Sequence, residues 1–254
     1  MLSKPLVSVI MPTYNAESTL EKSIGSVLAQ SCNDFEIIVV DDNSTDGSVE
    51  IVRELALTEP RIKLIEHQSN LGAGVARSTG IKNSKGRFIA FLDADDLWKT
   101  KKLEKQISYM IDSDCYFCCS WYDIQTVYGD RLGTRKPPRL ISYEALLYEN
   151  VIGCLTVMID TDFFGRRSMP YIRKRQDYAF WLSLLREVDY CFCLQESLSI
   201  YQVRPNSISS NKLEMIAFNY KMFRQCEKFG ITKSTFYVVL NILNKIYNDL
   251  FKKY

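Results

Sequence analysis

The chain has 254 residues and one histidine, His67. A Ser–His or Cys–His catalytic pair would have to use it, yet it lies between a strand-like segment and a loop with no nucleophile motif nearby. A general base is therefore expected among the carboxylates. Charge of one sign is scarce: the formal net charge is +2, whereas a dedicated nucleic-acid binder is usually far more basic. There is no run of about 18 apolar residues, so no spanning helix is expected. Paired CxxC or CxxC/HxxxH halves are missing. The eight cysteines, among them Cys115, Cys118 and Cys119 in "CYFCC" and the pair Cys191 and Cys193, sit in aromatic, apolar runs and read as buried reduced thiols rather than zinc ligands. The early apolar run "PLVSVIMPTYN" is short and has no cleavage-like end, so it reads as a strand and not as a leader. With free thiols, the expected compartment is the cytosol. Internal repeats and low-complexity linkers are absent.

An apolar share of 46% against 24% charged residues marks an ordinary globular chain, long enough for one large domain or two fused halves. The local basic clusters "KTKKLEK", "GTRKPPR" and "RKR" read as solvated surface.

Strand and helix patterns alternate through the first half. "LVSVIMPTYN", "DFEIIVVDDNSTDGS", "RIKLIEHQS" and "GRFIAFLDADDLW" read as strands. Between them, "AESTLEKSIGSVLAQ", "SVEIVRELALTE" and the helix fed by "NLGAGVARSTGIKNS" show helical spacing. This order predicts an α/β fold with a mostly parallel sheet and helices on both faces. In such sheets ligands bind beyond the carboxyl ends of the strands, so "PTYN", "DDNSTD" and "DADD" should meet at one edge. The second half is less regular. "KKLEKQISYMI" reads as a helix, "CYFCCSWYDIQTVY" as a strand, "GDRLGTRKPPR" as a loop, and "SYEALLYENVIG" as a helix with Ser142 as its cap. "CLTVMID" then reads as a strand, "RKRQDYAFWLSLLREV" as a helix, "YCFCLQESLSIYQV" as a strand and "RPNSISSN" as a loop. Two tail helices follow. In the last of them Phe236, Val239, Leu240, Leu243, Ile246, Tyr247 and Leu250 form an apolar stripe, with Asn241, Asn244 and Lys245 elsewhere on the surface.

"IAFLDADDLW" sets three carboxylates, Asp93, Asp95 and Asp96, at the mouth of a buried strand. Unpaired like charges held together repel, so a cation or a set of hydrogen-bond donors is expected there. A hard cation such as Mg²⁺ or Mn²⁺ is often held by one or two carboxylates plus phosphate and water, and Asp95 beside Asp93 fits such a sparse site. Asp96 is expected to cap the helix after it. Asp41 and Asp42 end another strand, where carboxylates accept from a base N–H or ribose hydroxyls. Gly72-x-Gly74 half-matches a dinucleotide fingerprint. The third glycine is replaced by Arg77 and the motif follows the third strand, so a nicotinamide cofactor is not expected.

"VSVIMPTYNAESTLEKSIGSVLAQS", "FEIIVVDDNSTDGS", "NLGAGVARSTGI", "KGRFIAFLDADD" and "RQDYAFWL" together resemble the inverting family 2 glycosyltransferases of GT-A fold, over about residues 5 to 210. The likeness is to the bacterial enzymes that build O-antigen, capsule and related surface polysaccharides. The resemblance implies that Pro12, Thr13, Tyr14 and Asn15 wrap a uridine. It implies that Asp42 accepts from the uracil N–H with Asp41 beside it, and that Asn70, Gly72 and Arg77 complete the nucleotide pocket. "DAD" corresponds to the family's DxD motif: Asp93 near the ribose, Ala94 between, and Asp95 on a Mn²⁺ or Mg²⁺ ion that bridges the diphosphate. Asp177 in "RQD" corresponds to the catalytic base, with Gln176 where the family usually has Glu. Ser78 stands where Asn is usual. The family's processive synthases carry a "QxxRW" motif that is absent here, so addition of a single sugar is expected.

The implied partners are a UDP-sugar donor and a saccharide acceptor, lipid-linked through undecaprenyl diphosphate; no nucleic acid is implied, and the oligomeric state is left open. Arg173, Lys174 and Arg175 are candidates for an acceptor phosphate. Arg204, Ser207, Ser209 and Lys212 are candidates for a lid over the diphosphate. The layout expected is a nucleotide-sugar half over residues 1–130, an acceptor half with the base over 131–211, and a helical extension over 212–254. The terminal stripe has two readings. It packs on the domain, or it lies on the inner face of the cell membrane with Lys252 and Lys253 towards anionic lipid. Two competing functions are a sugar nucleotidyltransferase, which would want a Gly-rich opening loop where "PTYNAEST" has no glycine, and an inactive nucleotide-sugar-binding module.

Overall fold

A computed structural model describes residues 4–203 and 212–251. In the first half β1 (Val7–Thr13), α1 (Leu20–Leu28), β2 (Phe35–Asp41), α2 (Ser48–Thr58), β3 (Ile62–Glu66), α3 (Ala73–Asn83) and β4 (Phe88–Phe91) follow in the order that the sequence predicts. The second half runs β5 (Leu97–Trp98), α4 (Lys102–Asp112), β6 (Phe117–Thr126), β7 (Arg131–Arg135), β8 (Leu140–Ile141) and α5 (Tyr143–Tyr148). It continues through β9 (Met158–Asp160), α6 (Thr161–Phe164), α7 (Gln176–Leu184), β10 (Cys191–Val203), α8 (Lys212–Gln225) and α9 (Ile231–Phe251).

Main-chain pairing joins these strands into one sheet of order β3-β2-β1-β4-β9-β6-β10-β5, with β7 on β6 and β8 on β10. The β3-β2-β1-β4 block is parallel throughout. Antiparallel β9 then enters between β4 and β6 and turns the sheet mixed. Every residue of β1, β2 and β4 is buried, because helices cover both faces, and this is why these strands read as unbroken apolar runs. Alternation divides them between two cores. Val7, Val9, Met11, Ile37 and Val39 pack with Leu20, Ile24, Val52 and Leu103 of α1, α2 and α4. Ile10, Ile38, Val40, Ile89 and Phe91 face Ala76, Ile81, Trp181 and Phe223 of α3, α7 and α8. The halves expected from the sequence share this sheet, and a line after residue 130 passes through the turn between β6 and β7.

Four expectations are corrected. "GDRLGTRKPPR" is not all loop, because β7 pairs antiparallel with β6. The strand expected at "CLTVMID" begins as a 3-10 turn, Cys154–Thr156. The strand ending in "DADDLW" stops at Phe91; beyond the acidic turn Leu97 and Trp98 pair antiparallel with β10. Lys102, from the cluster expected at the surface, is 0% exposed, with its ammonium on Gln106 Oε1 at 2.6 Å and over the Trp98 ring at 4.0 Å. Ser142 caps α5 as expected, accepting from the Ala145 amide. Six of the eight cysteines are buried, and all eight are free thiols.

Of the two readings of the α9 stripe, packing on the domain does not hold for most of it. Ser234 and Val238 are buried, whereas Phe236, Val239, Leu243 and Ile246 are exposed. The physical reason lies in α5, whose last carbonyls have no helical partner. Asn241 Nδ2 donates to the Leu147 and Tyr148 carbonyls at 2.9 and 2.8 Å, and Asn244 Nδ2 donates to Tyr148 at 3.0 Å. Two asparagines therefore face the domain, and the apolar stripe faces outward.

Candidate active site

The turns after β1 and β2 are sewn together. Asn15 holds φ 48°, a left-handed conformation that Asn tolerates. Its Oδ1 accepts from the Thr45 amide at 2.8 Å, and its own amide donates to Ser44 Oγ at 3.0 Å. Ser44 donates in turn to both carboxylate oxygens of Asp41, from its amide at 2.8 Å and its hydroxyl at 2.5 Å. Asp41 is thus buried and locks its own turn. Pro12 and Thr13 are buried under this turn and Tyr14 is exposed over it. Thr13 Oγ1, also buried, has no hydrogen-bond partner among the described residues.

Asp42 is 2% exposed and acts as a clamp. Its carboxylate accepts from the Gly72 amide at 2.7 Å, the Leu71 amide at 3.0 Å and His67 Nδ1 at 2.8 Å. Asn70 Nδ2 donates to the Asp42 carbonyl at 3.2 Å. Three of the four carboxylate lone pairs are thereby used within the protein. The clamp fixes the entry to α3, where Gly72 adopts φ 93°, a conformation that carries little strain only for glycine. His67, set aside as a base, is the far jaw of the clamp, and its Nε2 reaches Thr79 Oγ1 at 3.0 Å.

The "DAD" turn is held from three sides. The Ala94 carbonyl accepts from Thr19 and Ser23 hydroxyls, each at 2.9 Å. Asp93 pairs with Arg77 at 2.5 Å. Asp96, expected to cap α4, instead accepts from the Gln202 amide of β10 at 3.0 Å, since β5 intervenes and α4 begins after Lys101. Of the three like charges, Asp93 meets a guanidinium, Asp96 meets an amide, and Asp95 lies half-buried at the strand mouth.

The start of α7 reaches the same place. Gly74 has Gln176 so close that an added Cβ would lie 2.7 Å from Gln176 Cγ, so the small residue lets α7 abut α3. Asp177 is not the N-cap of α7; that position belongs to Arg175, held at φ 66°. A left-handed arginine stores strain of order 1 kcal/mol, and here it precedes the helix carrying Asp177. Arg77 is buried between the two acidic segments. Burial works against its charge, but the Asp93 carboxylate, with Asp177, outweighs it and raises its pKa. Burial lowers the pKa of Arg175, with Asp177 opposing. Burial also pushes the nearby Cys154 thiol well up, so it sits there uncharged. Arg77 Nε, Arg175 Nε and Gln176 Oε1 are buried without partners among the described residues.

A divalent cation is tested against these residues. Among the described residues no three acidic, histidine or cysteine side chains gather into a closed ligand set. With Asp93 engaged by Arg77, the protein's share would come chiefly from Asp95, an oxygen donor of the kind that Mg²⁺ and Mn²⁺ accept when phosphate and water supply the rest. The residues fit such an ion.

The other candidates are distributed differently. Lys174 pairs with Glu214 of α8 at 2.6 Å, and Arg173 is exposed. Arg204, Ser207, Ser209, Lys252, Lys253 and the side chain of Lys212 lie outside the described residues. Sequence reasoning missed Ser44, Thr19, Ser23 and His67. Only Ser44 carried a signal: a serine three residues after Asp41 is spaced for a local side-chain turn.

Comparison with known proteins bears on this geometry. The profile described as "Glycosyl transferase family 2" matches residues 8–173. TuaG of Bacillus subtilis (strain 168), a glycosyltransferase assigned to teichuronic acid biosynthesis, is 40% identical over 96% of this chain and 97% of its own. A UDP-Glc:alpha-D-GlcNAc-diphosphoundecaprenol beta-1,3-glucosyltransferase of Escherichia coli, WfgD, is 40% identical over 82% of this chain and 81% of its own. The crystal structure of S. aureus TarS 1-349 in complex with UDP-GlcNAc superposes with a TM-score of 0.70 at 19% identity, over 91% of this chain and 70% of that one. That likeness shows a shared GT-A fold. Carrying the family's profile over most of its length and a 40% identical relative over nearly all of it, this chain belongs to glycosyl transferase family 2.

Proposed function

We propose that the protein transfers a single sugar from a UDP-sugar to a saccharide acceptor linked to undecaprenyl diphosphate, with inversion at the anomeric carbon, in the building of a bacterial surface polysaccharide. The observation that carries the reading is the placement of Arg77. This buried cation pairs with Asp93 of the "DAD" turn and lies within electrostatic reach of Asp177, so the donor-side and acceptor-side acids belong to one site. The names of the 40% identical relatives support the choice of substrates.

The nucleotide sits between the "PTYN" turn and the Asn70–Gly72 loop, which Asp42 holds in shape. Asp93, fixed by Arg77, faces the ribose. Asp95 would hold a Mn²⁺ or Mg²⁺ ion, which would supply charge neutralisation for the departing UDP. Asp177 accepts the proton of the acceptor hydroxyl as its oxygen bonds to the anomeric carbon, and the bond from that carbon to the diphosphate oxygen breaks with its electron pair leaving on UDP. Attack from the face opposite the leaving group converts an α-linked donor into a β-glycoside, with no covalent enzyme intermediate.

The test is a donor screen with UDP-glucose, UDP-galactose, their N-acetylamino forms and GDP-mannose, with and without Mn²⁺. Metal-dependent binding of one UDP-sugar is expected, weakened in Asp95→Ala by about tenfold or more. Binding of none of these donors under any condition would overturn the reading.

A further inference from the structure

The α8–α9 hairpin carries a pattern that catalysis does not use. Between Met215 and Tyr247 the sequence has five cations, Lys221, Arg224, Lys228, Lys233 and Lys245, and one carboxylate, Glu227. All five cations are exposed. Glu227 is buried, ion-paired with Arg186 at 2.6 Å and bonded by the Tyr143 hydroxyl, which removes its charge from the surface. Between Met215 and Tyr247 the exposed charges of the hairpin are therefore all cations; Glu214, just before this stretch, is exposed but paired with Lys174. On α9 the apolar stripe of Phe236, Val239, Leu243 and Ile246 is about half exposed (47–54%), with Lys233 one turn before it, whereas Lys245, seven residues after Val238, lies on another side of the helix. The stripe is not a core face, because Asn241, Asn244 and Val238 already anchor the helix to the domain by its other side. No helix among the described residues is long and apolar enough to cross a membrane.

An exposed apolar stripe on a hairpin whose neighbouring exposed charges are cationic suits a helix lying in the plane of a lipid surface. Self-association fits less well. Two copies meeting through this part of the hairpin would bring like charges towards one another, Lys228 and Lys233 among them, and no exposed carboxylate between Met215 and Tyr247 is present to pair them. The location is also suitable. Glu214, in the first turn of α8, pairs with Lys174, three residues before Asp177, so the hairpin is tied directly to the segment that delivers the proposed base.

We propose that the outer face of the α8–α9 hairpin docks on an anionic lipid bilayer, holding the site at the surface where a polyprenyl diphosphate acceptor resides. The acceptor clause rests on the glycosyltransferase reading above; the docking does not.

The experiment is flotation of the full chain with vesicles of phosphatidylglycerol and phosphatidylethanolamine, against vesicles of phosphatidylcholine alone. The protein should float with the anionic vesicles, less at high salt. Val239→Asp/Leu243→Asp should lower partitioning at least about tenfold, and Lys228→Glu/Lys233→Glu should lower it on anionic vesicles only. All four side chains are exposed, and thermal melts confirm that the variants fold. UDP-sugar hydrolysis is read in the same samples, and it should match the unaltered chain. Loss of flotation with intact hydrolysis reports on the docking face alone, and loss of hydrolysis with intact flotation reports on the catalytic reading alone. Absence of flotation with anionic vesicles, unchanged flotation of Val239→Asp/Leu243→Asp, or a dimer in light scattering that this variant dissolves would each overturn the proposal.

Discussion

At the amino ends of the parallel strands the buried carboxylate of Glu36 accepts from Ser8 Oγ at 2.6 Å, the Lys85 amide at 2.7 Å and Lys63 Nζ at 2.5 Å. Next to it Arg87 donates to Asp160 through both Nε and an NH₂ group, at 3.0 and 2.8 Å. At the carboxyl ends of the same strands and on the helix starts beside them, Thr13 Oγ1, Arg77 Nε, Arg175 Nε and Gln176 Oε1 are buried with no partner among the described residues. Buried polar groups are ordinarily satisfied, and leaving one unpaired costs about 1–3 kcal/mol. One end of the sheet is finished as structure; the other is stocked with donors and acceptors that a ligand would complete. Conformational strain follows the same division. Asn15, Asn43 and Arg175, three of the five non-glycine residues at positive φ among the described residues, lie in the turns of the candidate site.

This contrast can be broken by exchanging the kinds of damage. The largest effect is expected from Asp177→Asn, which should lower kcat by about 10³-fold while UDP binding by calorimetry stays within about twofold, since only the proton acceptor is changed. Glu36→Ala should do the opposite. It leaves Lys63 and the Lys85 amide without their carboxylate and should cost about 3 kcal/mol in chemical denaturation, with UDP binding retained. Burial raises the Glu36 pKa, but the bonds from Lys63, Ser8 and the Lys85 amide outweigh this and hold it below the ordinary value of 4.5. Its stabilisation is therefore present above pH 4.5 and lost as pH falls through the folded-state pKa. The pH dependence of unfolding in wild type and Glu36→Gln checks that window.

Much of the contrast was legible in the sequence. The carboxyl-end turns announced themselves as polar clusters closing apolar runs, and five motifs at family spacing fixed their identity. The amino-end belt was not, because Ser8, Glu36, Lys63 and Lys85 stand far apart in the chain and become neighbours only through parallel pairing. The inward face of α9 was hidden for a related reason. Helical periodicity ranks faces by apolarity, and it has no knowledge of the carbonyls at the end of a distant short helix to which Asn241 and Asn244 donate. Lys102 was misread because a cluster of charges looks solvated unless the tertiary neighbour, here the Trp98 ring, is known.

Lys102 sharpens the comparison from the structural side. Burial pushes its pKa down to about 7, below the unfolded value of about 10.4. The unfolded chain therefore binds more protons between pH 7 and 10, and stability should rise with pH across that range. Lys102→Met should add about 1–3 kcal/mol at pH 7 and flatten the rise, as read from denaturation midpoints at several pH values, without touching donor binding. The smallest effect is expected from Arg175→Gly. Glycine relieves the left-handed strain, so stability should rise by about 1 kcal/mol, while transfer activity should fall because the cation beside Asp177 is lost.

The entry of β9 between β4 and β6 has a consequence for how the chain leaves the ribosome. The parallel block β3-β2-β1-β4 is complete in sequence at Phe91, but Phe88, Ile89 and Ala90 pair with Asp160, Ile159 and Met158. The edge of β4 is thus open until about 70 further residues have been synthesised, several seconds at roughly 5–20 residues per second. An open apolar edge is a template for pairing with another chain. Truncation after residue 130 should accordingly give an aggregating fragment rather than a minimal nucleotide-binding domain, and nascent chains paused between Phe91 and Met158 should be the species that chaperones hold.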